Sequence, residues 1–127
     1  MSVFTPYDQK YNRKPDFTVD YEYIHDQSDY VMKMSQGMRS DFCYEEDAKN
    51  GPSHMIWPEF LDNNGNVILD TETPIPDQGK AHMWVIVDEK RDYHRKRLCL
   101  GMKGYLMVGS HRIANVVVTD IAKKSTE

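Results

Sequence analysis

The densest group of chemically capable side chains lies at Lys90-Arg91-Asp92-Tyr93-His94-Arg95-Lys96-Arg97, which holds five Lys or Arg, one His and one Tyr. Such a cluster can grip phosphates or an acidic protein surface through charge-assisted hydrogen bonds. Tyr93 and His94 can stack on an unpaired base. The same residues can also form a solvated hairpin tip that keeps the protein soluble, so three readings stand open. Lys90, Arg91, Tyr93, His94, Arg95, Lys96 and Arg97, together with Arg39, are the candidate partner-binding residues.

Nucleophilic chemistry would need a thiol beside a base. Cys43 and Cys99 are the two thiols, and His25, His54, His82, His94 and His111 the imidazoles. No local signature joins any pair, so two reduced, buried cysteines and structural histidines are the expectation. Two distant cysteines make no disulfide framework or close-spaced metal set. Asp62-Asn63-Asn64-Gly65-Asn66 has calcium-type ligands but lacks the EF-hand spacing and its distal Glu. No metal and no cofactor are therefore expected. Acidic side chains are spread along the chain (Asp41, Glu45, Glu46, Asp47, Asp62, Asp70, Glu72 and Asp77). They suit ordinary solvated loops or a surface that steers a basic partner.

Elements must position these groups, and their periodicity is that of strands. In Phe17-Thr18-Val19-Asp20-Tyr21-Glu22-Tyr23, the residues Phe17, Val19, Tyr21 and Tyr23 share one face and the polar ones the other. Tyr30 to Met34 and Arg39 to Tyr44 repeat the pattern, the first with Tyr30, Met32 and Met34 in step. Met32, Met34 and Met38 suit irregular core gaps or an adaptable interface. His54 to Leu61 is apolar but contains Pro58, which predicts a broken or edge strand, or a single helical turn. Asn64-Gly65 predicts a type I′ hairpin turn before Val67, Ile68 and Leu69. Ala81 to Val87 is the most apolar segment and predicts a central strand. Asp88 to Arg97 reads as a charged loop. Leu98 to Leu100, Tyr105 to Val108 and Ile113 to Ile121 read as three further strands. Seven to nine short strands and no helix of note predict a sandwich or barrel.

The chain has 127 residues, 39% of them hydrophobic and 28% charged, which fits one folded domain and argues against global disorder. The formal net charge of -4 removes the broad attraction to nucleic acid. The opening residues lack a basic segment followed by an apolar run, so no signal peptide is expected. No apolar stretch approaches the roughly 20 residues of a membrane span, and a cytoplasmic protein is expected. Residues 1–16 read as a partly ordered arm docked through Tyr7 and Tyr11, 17–122 as the domain and 123–127 as a tail.

Several segments, taken in order, resemble the C-terminal β-barrel domain of elongation factor Tu. They are Lys14-Pro15-Asp16-Phe17-Thr18-Val19-Asp20, Gly37 to Tyr44, Ile75 to Ala81, Leu98 to Gly101 with Tyr105 to His111, and Asn115 to Ile121. Together they span about residues 14–122. Ser40 and Asp41 stand where that family has Pro and Gln. The chain has no Gly-x-x-x-x-Gly-Lys-Ser/Thr phosphate loop, so the family's GTPase activity does not carry over. The resemblance implies an all-β fold, a small closed antiparallel barrel of the six-stranded type, with protein or RNA contacts on its outside.

The resulting expectation is a non-catalytic module that binds a protein partner, either an immunity-type toxin neutraliser or a translation-associated accessory protein. The alternatives are an RNA-binding barrel using residues 90–97 and a small Cys/His hydrolase. Monomer and dimer are both open, the latter through a strand edge at Pro58.

Overall fold

A computed structural model describes residues 3–24, 33–49 and 51–122. Among them, six strands close into an antiparallel barrel in the order β1-β4-β3-β2-β5-β6, with β6 returning to β1. They are β1 (Phe17–Tyr23), β2 (Ser40–Tyr44), β3 (His54–Phe60), β4 (Gln78–Val85), β5 (Lys103–Val108) and β6 (His111–Ile121). The all-β class expected from alternation is therefore the fold, and of the sandwich and the barrel it is the barrel that forms. His25 and the strand-like residues Tyr30 and Met32 lie outside the described residues, as does the tail 123–127.

Alternation explains the interior. Phe17, Val19 and Tyr21 of β1 point inward and are buried, while Asp20 and Glu22 face solvent. Phe42 and Tyr44 of β2, Ile56 and Phe60 of β3, and Ala81, Met83 and Val85 of β4 join them in one core. Phe17 meets Phe42 edge to face, and Phe42 meets Tyr44 the same way. Met34 and the partly buried Met38 pack on this core, as gap-fillers should. The barrel wall is tight at Gly104: a Cβ there would lie 2.6 Å from the Cys43 carbonyl oxygen and 2.7 Å from the Phe42 ring.

Pro58 does not make β3 an edge. The strand pairs with β4 from Ile56 to Phe60 and with β2 through Ile56. Backbone groups alternate in direction, so those of Ile56, Pro58 and Phe60 face the β2 side. Beyond Ile56 that side has no strand: the Gln36 side chain stands there, donating from Nε2 to the Phe60 carbonyl and accepting the Phe60 N–H at Oε1. Proline's missing donor thus falls where no ladder partner needs it. The edge available for strand-to-strand dimers is closed, and the single helical turn expected near Ile56 is strand.

Other local expectations are corrected too. The 62–66 turn is not type I′. Only Gly65 has positive φ, at 82°, and the Gly65 N–H donates to the Asp62 carbonyl. That is a type I turn followed by a left-handed glycine, and the Asp62 carboxylate seals it by accepting from Asn64 and Asn66. Leu98 to Leu100 forms no strand, and Val67 contributes a single bridge to Leu61. Among the described residues two α-helices are present against the expectation of none: α1 (Tyr7–Tyr11) and α2 (Arg91–Arg97). No described helix is long and apolar enough to cross a membrane.

Candidate functional site

Helix α2 contains most of the basic cluster, and a short 3-10 turn (Asp88–Lys90) leads into it. A helix of seven residues is not stable alone, so tertiary contacts must hold it, and they use the basic side chains. The Asp16 carboxylate, buried just before β1, accepts from Arg91 Nε at 2.8 Å and from the Val85 N–H at 2.8 Å. Arg13 adds a bond at 3.2 Å. Arg97 lies 3.7 Å over the Tyr44 ring and pairs with Glu46 and Asp47. Those carboxylates push its already high pKa up further, so it stays charged. Arg95 and Lys96 both pair with Asp92 one turn back. Lys90 stands 5.6 Å over Tyr93.

The segment is thus a lid on one end of the barrel rather than a solvated loop. His94 is 2% exposed, and Leu98, just beyond the helix, enters the core. The Tyr44 hydroxyl and His94 Nδ1 are 2.7 Å apart. The His54 and His94 rings meet edge to face with centroids 4.5 Å apart. Burial lowers the His94 pKa to about 4, helped by His54, Arg97 and Lys90. Burial likewise lowers that of His54. Burial also raises the Tyr44 hydroxyl well above the usual phenol range.

Of the eight sequence candidates, Arg91, His94 and Arg97 therefore tie the lid down. Lys90 and Lys96 are exposed, Tyr93 is 41% exposed with its hydroxyl accepting from Arg97, and Arg95 is half-buried. Arg39 is exposed at the start of β2, the opposite end from Tyr44, and does not join them. Pairing with Asp16, Glu46, Asp47 and Asp92 reduces the positive charge that α2 offers outward. The thiols are also separated from the expected picture: Cys43 is buried, but Cys99 is exposed. His82 is structural, bonding to Glu59.

A second site was not read from the sequence. On β3 and β4, Trp57 and Glu59 pair across from Trp84 and His82, and all four side chains point out of the barrel. The N-terminal arm covers them. Phe4, Tyr7 and Trp84 form a small second core, with Trp57 and Val67 packed on it. Tyr11 lies against Tyr7 and Trp84 and stays 43% exposed. Glu59 is 1% exposed, yet it is a carboxylate. Its Oε2 accepts the Tyr7 backbone N–H at 2.8 Å, and its Oε1 accepts from Trp84 Nε1 at 3.1 Å and lies 3.2 Å from His82 Nδ1. Burial and the Glu59 charge push the Tyr7 hydroxyl up to about 12.

The missed signal is present in Trp57-Pro58-Glu59-Phe60, a lone carboxylate inside an apolar strand. Its outward neighbours Trp57 and Trp84 are also apolar, which marks a covered outer face. An open groove of about 730 Å³ runs beside the arm, between α1, Trp57 and Gln36. Among the described residues, no group of three or more His, Cys, Asp or Glu is arranged to hold a metal ion. No protein-family model matches the chain, and no curated protein matches it.

Proposed function

We propose that the chain is a non-catalytic binding module that engages a protein partner at the arm-covered face of the barrel. The observation that carries this reading is the open groove beside the arm. Its walls include Phe4, Tyr7, Tyr11 and Trp57, and Gln9 and Lys10 stand on its rim. Val3 at its end is 66% exposed. Large aromatic side chains within a polar rim are what protein interfaces enrich, because they bury much area for few rotatable bonds. The likeness to the C-terminal domain of elongation factor Tu supports the same reading, since such a barrel implies contacts made from its outer surface. A toxin neutraliser and a translation-associated accessory protein are both modules of this kind.

Photo-crosslinking tests it. A photoreactive residue replaces Tyr11 in one sample and Lys96 in another, and both proteins are irradiated in cells. One defined protein captured from position 11 and not from position 96 supports the reading. The same products from both positions, or none from position 11, refute it. RNA captured at position 96 would favour the basic lid instead.

A further inference from the structure

We infer that the outer face of β3 and β4 is a seat for a short peptide with two aromatic residues three positions apart, and that the chain's own arm is its resident occupant. This inference rests on the protein-binding reading and gives that site its ligand chemistry.

The seat reads three features of the arm. Two are the Phe4 and Tyr7 rings, which pack edge to face with centroids 5.0 Å apart and enter the second core. The third is the backbone, through the Tyr7 N–H on Glu59 Oε2. Packing alone needs no carboxylate there, and an apolar side chain would avoid the desolvation cost of a charge that is 1% exposed. A buried carboxylate instead makes the seat depend on a donor in one place, which discriminates among segments. A ligand must therefore leave the N–H of its second aromatic residue free of its own hydrogen bonds, as the first turn of α1 does for Tyr7. The Phe4 N–H on the Leu69 carbonyl, at 2.7 Å, fixes the direction of the segment.

The arm is also built to leave. The second core shares no buried residue with the main one, so the barrel stays closed when the arm lifts. After Tyr7 the chain meets the barrel through Tyr11 and Arg13, both against Trp84, and then at Asp16, whose N–H donates to the Met83 carbonyl. Between Tyr7 and Asp16 lies Asn12 in the left-handed region at φ 54°, followed by Arg13, Lys14 and Pro15. There Asn12 ends α1 as its left-handed cap, its N–H donating to the Asp8 carbonyl, so the helix ends without help from the barrel. The groove of about 730 Å³ is itself walled largely by the arm, so a partner segment with the same aromatic pair displaces the arm by taking its seat and not by filling that groove.

The test uses the full chain. Phe4→Ala with Tyr7→Ala weakens the resident arm and leaves the barrel core intact. A synthetic peptide of residues 3–13 is then titrated while the fluorescence of Trp57 and Trp84 is followed. We expect saturable binding, at least tenfold tighter than to the wild-type chain, whose tethered arm competes. The same peptide with Phe4 and Tyr7 changed to Ala should give no response. Absence of saturable binding to the folded variant, or an equal response to the altered peptide, overturns the inference. If the variant loses its strand circular dichroism, hydrogen exchange in the wild type decides. A Tyr7 N–H exchanging well ahead of the Val19 N–H supports a seat that empties; equal rates overturn it. Peptide binding without a crosslinked partner would sink the protein-partner reading alone. A crosslinked partner without peptide binding would sink this inference alone.

Discussion

Lowering the pH to 4.5 asks His94 to accept a proton in the least suitable place in the lid. The ring is 2% exposed, and the groups around it are Tyr44, His54, Tyr93, Arg97, Lys90 and, more distantly, Asp16. Only Asp16 favours the charged form; burial dominates and sets the folded pKa at about 4 against the ordinary 6.5. Above pH 6.5 both folded and unfolded chains hold the neutral ring, so nothing is lost. Between 6.5 and 4 the unfolded chain binds the proton and the folded chain does not, so stability falls as pH falls. Below 4 the loss is complete, and at about 1.36 kcal/mol per pH unit it comes to about 3 kcal/mol, of which about 2.5 is reached by pH 4.5. Urea unfolding followed by circular dichroism at pH 7 and 4.5 measures it. His94→Gln cannot titrate and keeps a polar group near Tyr44. The wild type should lose about 2.5 kcal/mol more than the variant over this interval. Equal losses, to within about 0.5 kcal/mol, would refute the claim that the buried ring stays neutral.

Glu59→Ala should cost about 2–3 kcal/mol by stranding the Tyr7 and Trp84 donors. It should also speed tryptic cleavage after Lys10 and Arg13, read by mass spectrometry, with unchanged cleavage rates arguing against the clamp. Gly104→Ala should cost about 2–3 kcal/mol, because the added methyl meets the Cys43 backbone and the Phe42 ring, neither free to move. A thermal midpoint equal to wild type would contradict the close approach. Arg97→Gln should cost about 1–2 kcal/mol through loss of the Tyr44 stack and the Glu46 and Asp47 pairs. Arg95→Gln, whose partner Asp92 is exposed, should stay within about 0.5 kcal/mol. Urea midpoints of the two variants that fell in the reverse order would show that the lid is held some other way.

The strands were legible where a period of two meets one wet face. β1 reads directly, because Thr18, Asp20 and Glu22 mark the outside. β3 did not, because its outer face is itself buried under the arm: Trp57, Pro58, Glu59 and Phe60 alternate in space but not in polarity. Helix α2 escaped because Arg91 to Arg97 has no apolar stripe. His94 and Leu98, four residues apart, are its buried contacts, and His does not count as apolar in a periodicity search. The 62–66 hairpin was located by its Asn and Gly, yet its type turned on whether Asn64 took positive φ. The Asp62 carboxylate favoured the alternative.

Local chemistry sufficed to place a β fold here, because side-chain alternation and turn residues act over a few positions and each strand carries its own record. The partners of charged groups are another matter. Arg91 meets Asp16 and Arg97 meets Asp47 across long stretches of chain, and only barrel closure brings them within hydrogen-bond reach. A run of basic residues looks alike whether its charges face water or one another. Closure also assigned Glu59 its role, since a carboxylate on a strand is ordinary until an arm from 52 residues away lays a backbone donor on it.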